Sequence, residues 1–352
     1  MEKNQSWSSE FAESFKTLAP LYEFLGWPLS QELESVAKTY PVFVPKRLAK
    51  KIKDQGGNGP LAQEFLPHVL ELRDDGLTDP IGDEAFFKAP QLIHRYENRA
   101  LFTPTSVCPI HCRYCFRKNE LNSPHELFQN DFDKTLSYLR ENPKVTEIIF
   151  TGGDPLTLSN ERLEKFLSGF AGIFSIKDIR FHTRYPVILP SRIDEGFLKL
   201  IAKYQEHFRT ISLVIHANHA SEFDEETDRA IKKLSQTGMQ LLSQSVLLRG
   251  VNNNSHDLFA LMNKFIENKI RPYYLHHPDK VKGGLHFSLP LKDGRELYLQ
   301  LRDKLPGWAI PHYVIDLPGG AGKISAFNPE SLDFSGKFLT KAGDSHSYEE
   351  IK

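Results

Sequence analysis

Cysteine is almost missing from these 352 residues: there are three, all inside the stretch Cys108-Pro109-Ile110-His111-Cys112-Arg113-Tyr114-Cys115. An odd count, with no secretory signal peptide ahead of it, argues against a disulfide framework. Cysteines used only as small core residues would have no reason to cluster. An excess of one charge is missing too, since 44 basic residues face 45 acidic ones for a formal net charge of −1. No global field therefore draws the chain to nucleic acid or to an anionic membrane. No apolar run approaches the roughly 20 residues that span a bilayer. Internal repeats and low-complexity tracts are absent as well. What remains, 40% hydrophobic and 25% charged, is ordinary globular composition. The length allows one large domain and an extension.

The three thiols carry the strongest signal. A structural zinc site wants four closed ligands. His111 is the only nearby candidate for a fourth, and it sits inside the loop beside Cys112, where it could hardly share one tetrahedron with all three sulfurs. An iron–sulfur cubane ordinarily takes four thiolates, one per iron. Three thiolates leave one iron open to another ligand. This spacing, followed at once by Phe116-Arg117-Lys118, resembles the signature of the radical S-adenosylmethionine (SAM) superfamily. In that superfamily the amino acid end of SAM occupies the open iron of a 4Fe–4S cluster. Thiolates and an oxidisable cluster need a reducing compartment, so a cytoplasmic location is expected.

Residues 1–93 read as a helical and irregular extension, with helix-like spacing over 9–25, 31–39 and 45–52 and a break at 53–60. From residue 94 short β-branched or aromatic runs alternate with amphipathic segments, the pattern of parallel βαβ units. Six runs are expected as strands: 100–107, 147–151, 179–184, 210–215, 240–248 and 270–276. Helical segments at 131–140, 161–170, 193–204, 225–236 and 257–268 separate them. Ser221 and Gly238 supply start and stop signals for one of these helices. Six units predict an α/β partial (β/α)6 barrel over 94–308, with a flat doubly wound sheet as the alternative. Residues 309–352 form a C-terminal segment ending in a polar tail at 344–352.

Chemistry-bearing residues fall after the strands, where barrels of this type gather their chemistry. In Thr151-Gly152-Gly153-Asp154-Pro155, two residues without Cβ let a ligand approach the backbone, although a tight turn alone would use them too. Placed one unit after the cysteine loop, Gly152 and Gly153 resemble the SAM-binding glycine pair of the superfamily. His216 and Gln244 are further candidates for SAM contacts, against the simpler reading of buried, satisfied polar residues. Asp316-Leu317-Pro318-Gly319-Gly320-Ala321-Gly322-Lys323 looks like a phosphate-binding P-loop but fails the test. Leu317 stands where the first glycine should be, and Ile324 follows the lysine. What remains is a lysine on a flexible glycine-rich loop after a short expected strand at 312–315; its amine can form a Schiff base with pyridoxal phosphate (PLP), although a lone lysine there reads more simply as solvent-exposed.

These stretches, with 182–193, 244–252 and Arg271-Pro272-Tyr273-Tyr274, resemble the lysine 2,3-aminomutase family in order and spacing over roughly 94–330. The resemblance implies a PLP- and SAM-dependent isomerase moving the α-amino group of L-lysine to the β-carbon, served by an unidentified electron donor. It makes Cys108, Cys112 and Cys115 the cluster ligands and Lys323 the PLP lysine. Arg117 matches the grip on the substrate carboxylate, and a guanidinium suits that bidentate task. Asp279 and Asp316 match the pair that holds the ε-ammonium, a pair that would reject a glutamate side chain. Members of the family typically carry further cysteines near the C-terminus that bind zinc at a subunit contact. This chain has none, so a homo-oligomer of it would not be built on that zinc. Its shortness is like the branch supplying β-lysine for elongation factor P, but that branch tends to lack the aspartate that Asp316 supplies. The rival readings are an aminomutase for another amino acid, such as glutamate or arginine, and a non-catalytic iron–sulfur or zinc module.

Overall fold

The computed structural model describes residues 6–121, 128–327, 337–339 and 345–347. Five short helices open the chain: α1 Trp7–Ala12, α2 Leu18–Leu25, α3 Gln31–Thr39, α4 Lys46–Gln55 and α5 Pro60–Phe65. The helix expected over 9–25 is split, because Phe15 leaves the helical path to pair with Val44 as an isolated antiparallel bridge. The extension is also not purely helical. It ends in strands β1 Phe87–Ala89 and β2 Leu92–Tyr96, so the boundary expected at 93/94 falls inside β2.

From there strands and helices alternate. They run β3 Arg99–Phe102, α6 Phe132–Glu141, β4 Glu147–Phe150, α7 Asn160–Ala171, β5 Asp178–Thr183, α8 Tyr185–Ile188, α9 Glu195–Tyr204, β6 Thr210–His216, α10 Glu225–Leu234, β7 Gln240–Val246, α11 Ser255–Glu267 and β8 Arg271–His276. Helix α12 Leu291–Lys304, β9 His312–Leu317 and β10 Gly322–Ser325 complete the body. All ten strands form one sheet in chain order. The ends are antiparallel, and β3 to β9 run parallel. The six expected strands of the core are thus β3 to β8, and the short strand expected at 312–315 is β9, a seventh parallel neighbour. Its pairing with β8 runs from Tyr274 opposite His312 to His276 opposite Val314.

Alternation along each strand decides which side faces what. In β5, Ile179, Phe181 and Thr183 are buried while Arg180 and His182 are half-buried between them. The outward set packs on the helices. Phe150 of the sheet stacks on Phe181, and Phe102 and Phe150 meet each other and the rings of Phe132, Phe166 and Phe170 of α6 and α7 largely edge to face. The inward set, including Leu101, Ile149, Arg180, His182, Val214 and Gln244, lines one cavity of about 280 Å³. Only a sheet curved around that space can aim residues from β3 through β10 into it. The body is therefore a partial barrel, open between β1 and β10, and not a flat sheet.

Two local expectations change. The first core strand stops at Phe102 rather than 107, and residues beyond it peel away to pack on the loop after β4. Helix α10 is capped by Asp224, whose side chain accepts from the N–H groups of Glu226 and Thr227, while Ser221 lies in the preceding 3-10 turn. Of the polar tail at 344–352, only Ser345–Ser347 is described, as β12 paired with β11 Lys337–Leu339; the rest lies outside the described residues. Among the described residues no helix is long and apolar enough to cross a membrane.

Candidate active site

The cysteine loop is fastened to the N-terminal extension. The N–H of Arg113 donates to the Glu64 carbonyl (2.9 Å) and that of His111 to the Phe43 carbonyl (3.2 Å). His111 Nδ1 lies 2.9 Å from the Pro41 carbonyl, so its ring is engaged by the extension. Arg113 and Lys118 both donate to Glu71, at 2.6 Å and 2.8 Å for the closest contacts. Cys108, Cys112 and Cys115 all face the cavity and are free thiols. Burial, with the neighbouring Cys112 next, pushes the Cys115 thiol up to about 12. Metal-free thiols here stay protonated, and a metal must supply the charge that ionises them. Among the described residues no three His, Cys, Asp or Glu side chains converge on a single-ion site. A cubane asks for something different, one thiolate on each of three irons. Three inward thiols on a braced loop fit that.

Gly152 and Gly153 also line the cavity, but their missing Cβ atoms make room for the chain itself. A Cβ on Gly153 would lie 2.5 Å from the Val107 carbonyl oxygen and 2.6 Å from the Ser106 carbonyl carbon. Gly152 adopts φ +101°, and its Cβ would lie 2.9 Å from that of Thr103. The Gly153 and Asp154 N–H groups then donate to the carbonyls of Thr105 (2.8 Å) and Val107 (2.9 Å). The glycine pair clamps the cysteine loop. Asp154 extends the clamp to β5, accepting from the Thr183 hydroxyl (2.8 Å) and the Arg184 N–H (2.7 Å). Burial pushes the Asp154 carboxyl up to about 6 despite these bonds.

Behind the cysteines lies a buried charged network. Arg184 Nη1 donates to Cys112 Sγ (3.0 Å) and to the Tyr114 hydroxyl (2.6 Å), and Nη2 pairs with Glu222 and Glu64 (3.4 Å to Glu64). Burial and the charge of Glu222 raise the Glu64 carboxyl to about 8, so Glu64 keeps its proton at neutrality. The Tyr114 hydroxyl also reaches His216 Nε2 (3.3 Å). Burial, then the charge of Arg184, holds His216 well below the usual histidine range, so its imidazole is neutral. Gln244 sits opposite His216 in the β6–β7 register and lines the same cavity.

At the other end of the cavity, Lys323 is not on a free loop. It stands on β10 directly opposite Asp316 of β9. The glycines at 319, 320 and 322, all at positive φ, make the turn that allows this pairing. Lys323 Nζ donates to Asp316 Oδ2 at 2.5 Å and lies 3.3 Å from His276 Nδ1. Its own N–H donates to the Tyr96 hydroxyl (2.9 Å), and its ammonium lies 5.2 Å from the centre of the Tyr274 ring. Burial opposes ionisation of Asp316. The bond from His276 and the charge of Lys323 outweigh it and hold the carboxyl well below its ordinary range. Asp279 lines the same cavity, and burial first, then the charge of Asp316, pushes it up to about 7.

Arg117 reaches the cavity wall but is not empty-handed. Its Nη2 pairs with Asp83 and its Nη1 with Glu120 at 2.8 Å. Among the described residues its buried Nε–H has no partner. The structure thus places the candidate cluster, cofactor and substrate residues named from the sequence around one cavity, and adds charged residues near it that were not named. Glu64, Glu71, Asp83, Glu222 and His276 carry no motif. The one available signal was a carboxylate inside an apolar stretch, as for Glu64 in Leu61-Ala62-Gln63-Glu64-Phe65.

A curved parallel sheet with three inward cysteines on the loop after its first parallel strand defines a radical SAM enzyme, and the family model described as "Radical SAM superfamily" matches residues 102–262. Membership implies an iron–sulfur cluster and SAM. The chain is 35% identical over 291 residues to the L-lysine 2,3-aminomutase of Buchnera aphidicola, covering 82% of this chain and 85% of that protein. It is 32% identical to the proteins of the same name from Clostridium subterminale (90% of this chain, 76% of that protein) and Escherichia coli K12 (91% and 94%). The chain belongs to the lysine 2,3-aminomutase family; it is a radical SAM aminomutase, of the isomerase class, acting on a small molecule.

Proposed function

We propose that the enzyme converts L-lysine to β-lysine, using a 4Fe–4S cluster on Cys108, Cys112 and Cys115, SAM, and PLP on Lys323. The observation that carries this reading is the pairing of Lys323 with Asp316 in the same cavity as the three thiols. When bound, the cluster and SAM supply a 5′-deoxyadenosyl radical, and PLP supplies a conjugated partner for the migrating nitrogen.

The chain's own part is binding and positioning. Lys323 offers an amine at the inner end of a short strand, with the Tyr274 ring 5.2 Å away as a flat wall. Arg99, stacked 3.8 Å from the centre of the Tyr96 ring, and Arg180 supply positive charge on the same cavity for a phosphate. Withdrawing the Lys323 amine from Asp316 frees a carboxylate partner for a substrate ammonium. Asp279 completes an acidic end that favours a cationic side chain over glutamate. The unpartnered Nε–H of Arg117, and the remaining hydrogens of its amino groups, suit a substrate carboxylate. Gly152 and Gly153 hold the cysteine loop where SAM would meet His216 and Gln244.

An anaerobic assay with SAM, PLP and a chemical reductant, offering amino acids one at a time, tests this. Lysine should yield β-lysine, Lys323→Ala should abolish turnover, and Asp316→Ala should raise KM for lysine roughly tenfold or more, about 1.4 kcal/mol of lost charge contact. Turnover of a different amino acid with lysine inert would defeat the substrate assignment.

A further inference from the structure

We propose that Arg184 and its counter-ion Glu222 set the reduction potential of the cluster, an inference that rests on the reading that Cys108, Cys112 and Cys115 carry one. Arg184 is a positioning residue here, since it acts through the sulfur of Cys112 rather than on the reacting atoms. Its Nη1 lies 3.0 Å from that sulfur. The guanidinium cannot turn away. Tyr114 takes the same amino group at 2.6 Å, Glu222 and Glu64 take the other, and the backbone N–H of Arg184 is held by Asp154 at 2.7 Å.

Glu222 is equally fixed. Its Oε1 accepts from the N–H groups of Asn218 (2.5 Å) and His219 (3.1 Å), while Oε2 accepts from Arg184. Arg184 exposes 7% of its side chain, and Glu222 exposes none. Water therefore screens these charges little, and their effect on a neighbouring charge is larger than at a surface. An electron entering an iron–sulfur cluster makes it more negative, and hydrogen bonds and charges at the sulfurs shift how readily it enters. A fixed cation on Cys112 favours the reduced cluster. A fixed anion one group further away disfavours it by a smaller amount.

The geometry thus demands effects of opposite sign from two adjacent side chains. The full-length chain is reconstituted anaerobically with iron and sulfide, and its midpoint potential is measured by mediated dithionite titration with electron paramagnetic resonance detection. Arg184→Gln should lower the midpoint. Glu222→Gln, which keeps the side chain's shape and an oxygen acceptor, should raise it by less. Midpoints equal to the wild type in both variants, or shifts of the same sign, overturn the inference. If Arg184→Gln fails to load a cluster, Glu222→Gln decides alone: an upward shift supports the inference, and an unchanged or lowered midpoint overturns it. A wild-type chain that never shows a cluster signal defeats the underlying cluster reading instead, and the inference falls with it.

Discussion

Asp279 shows how a single side chain can be costly to the fold and useful to a site. Burial, then the negative charge of Asp316 with a smaller contribution from Asp83, raises its carboxyl to about 7, while Lys323 pulls the other way. In an unfolded chain the same group titrates near ~3.9. Between those values the folded protein keeps a proton that the unfolded chain has released. Asp279 therefore costs progressively more stability as pH rises from about 4 to about 7, and nothing further above that. Below about 4 both states are protonated and the contribution vanishes. Asp279→Asn should gain relative stability as pH rises, by on the order of 4 kcal/mol between pH 4 and pH 8 in urea denaturation. A difference between variant and wild type that does not change with pH would mean the carboxyl titrates normally. Such a destabilising acid is what a site for a substrate cation would retain, since stability is routinely traded for function.

At the scale of the element, the loop after β4 works as a clamp on the cysteine loop. Gly153 faces backbone atoms of Ser106 and Val107, which cannot swing aside as the end of a flexible side chain would. Gly153→Ala should cost about 2 kcal/mol or more and slow or weaken cluster loading, since overpacked positions force backbone shifts. Gly307→Ala, with nothing within 4 Å of the added Cβ, should stay within about 0.5 kcal/mol of the wild type. Equal stability and loading in both variants would remove the clamp. The sequence pattern made the parallel strands and their helices legible because alternation and amphipathic spacing are local. It made the cysteines stand out because their residue type is rare and their spacing tight, whereas Lys323 stood out only through the resemblance of the whole stretch to a known family. It did not reveal the antiparallel pairing of Lys323 with Asp316, because register across a glycine turn depends on backbone angles that composition does not fix. Nor did it reveal that Gly153 serves the protein backbone, because a missing side chain says that something comes close without saying what.

Across the whole molecule, the N-terminal extension is the brace against which the cysteine loop is held. It carries no motif, yet Tyr40, Pro41, Phe43, Glu64 and Glu71 all bind the stretch from His111 to Lys118 through backbone or side-chain groups. Glu71 is the hub, fully buried, accepting from Arg113, from Lys118 and from the N–H of His68 at 2.8 Å. Burial alone would raise its carboxyl, but the charges of Arg113 and Lys118 outweigh that and hold it below its ordinary range. Replacing Glu71 with Ala strands two buried cations that have no water to turn to. Breaking a buried pair this way costs about 3–5 kcal/mol, whereas replacing all its members with apolar groups often costs little. Glu71→Ala should therefore lower the urea midpoint sharply, while the triple change Glu71→Leu, Arg113→Met, Lys118→Met recovers much of the loss. If the extension is a brace for the loop and not merely a neighbour of it, Cys112 and Cys115 in Glu71→Ala should also react faster with a thiol reagent under native conditions. Unchanged thiol reactivity would mean the barrel alone holds the loop.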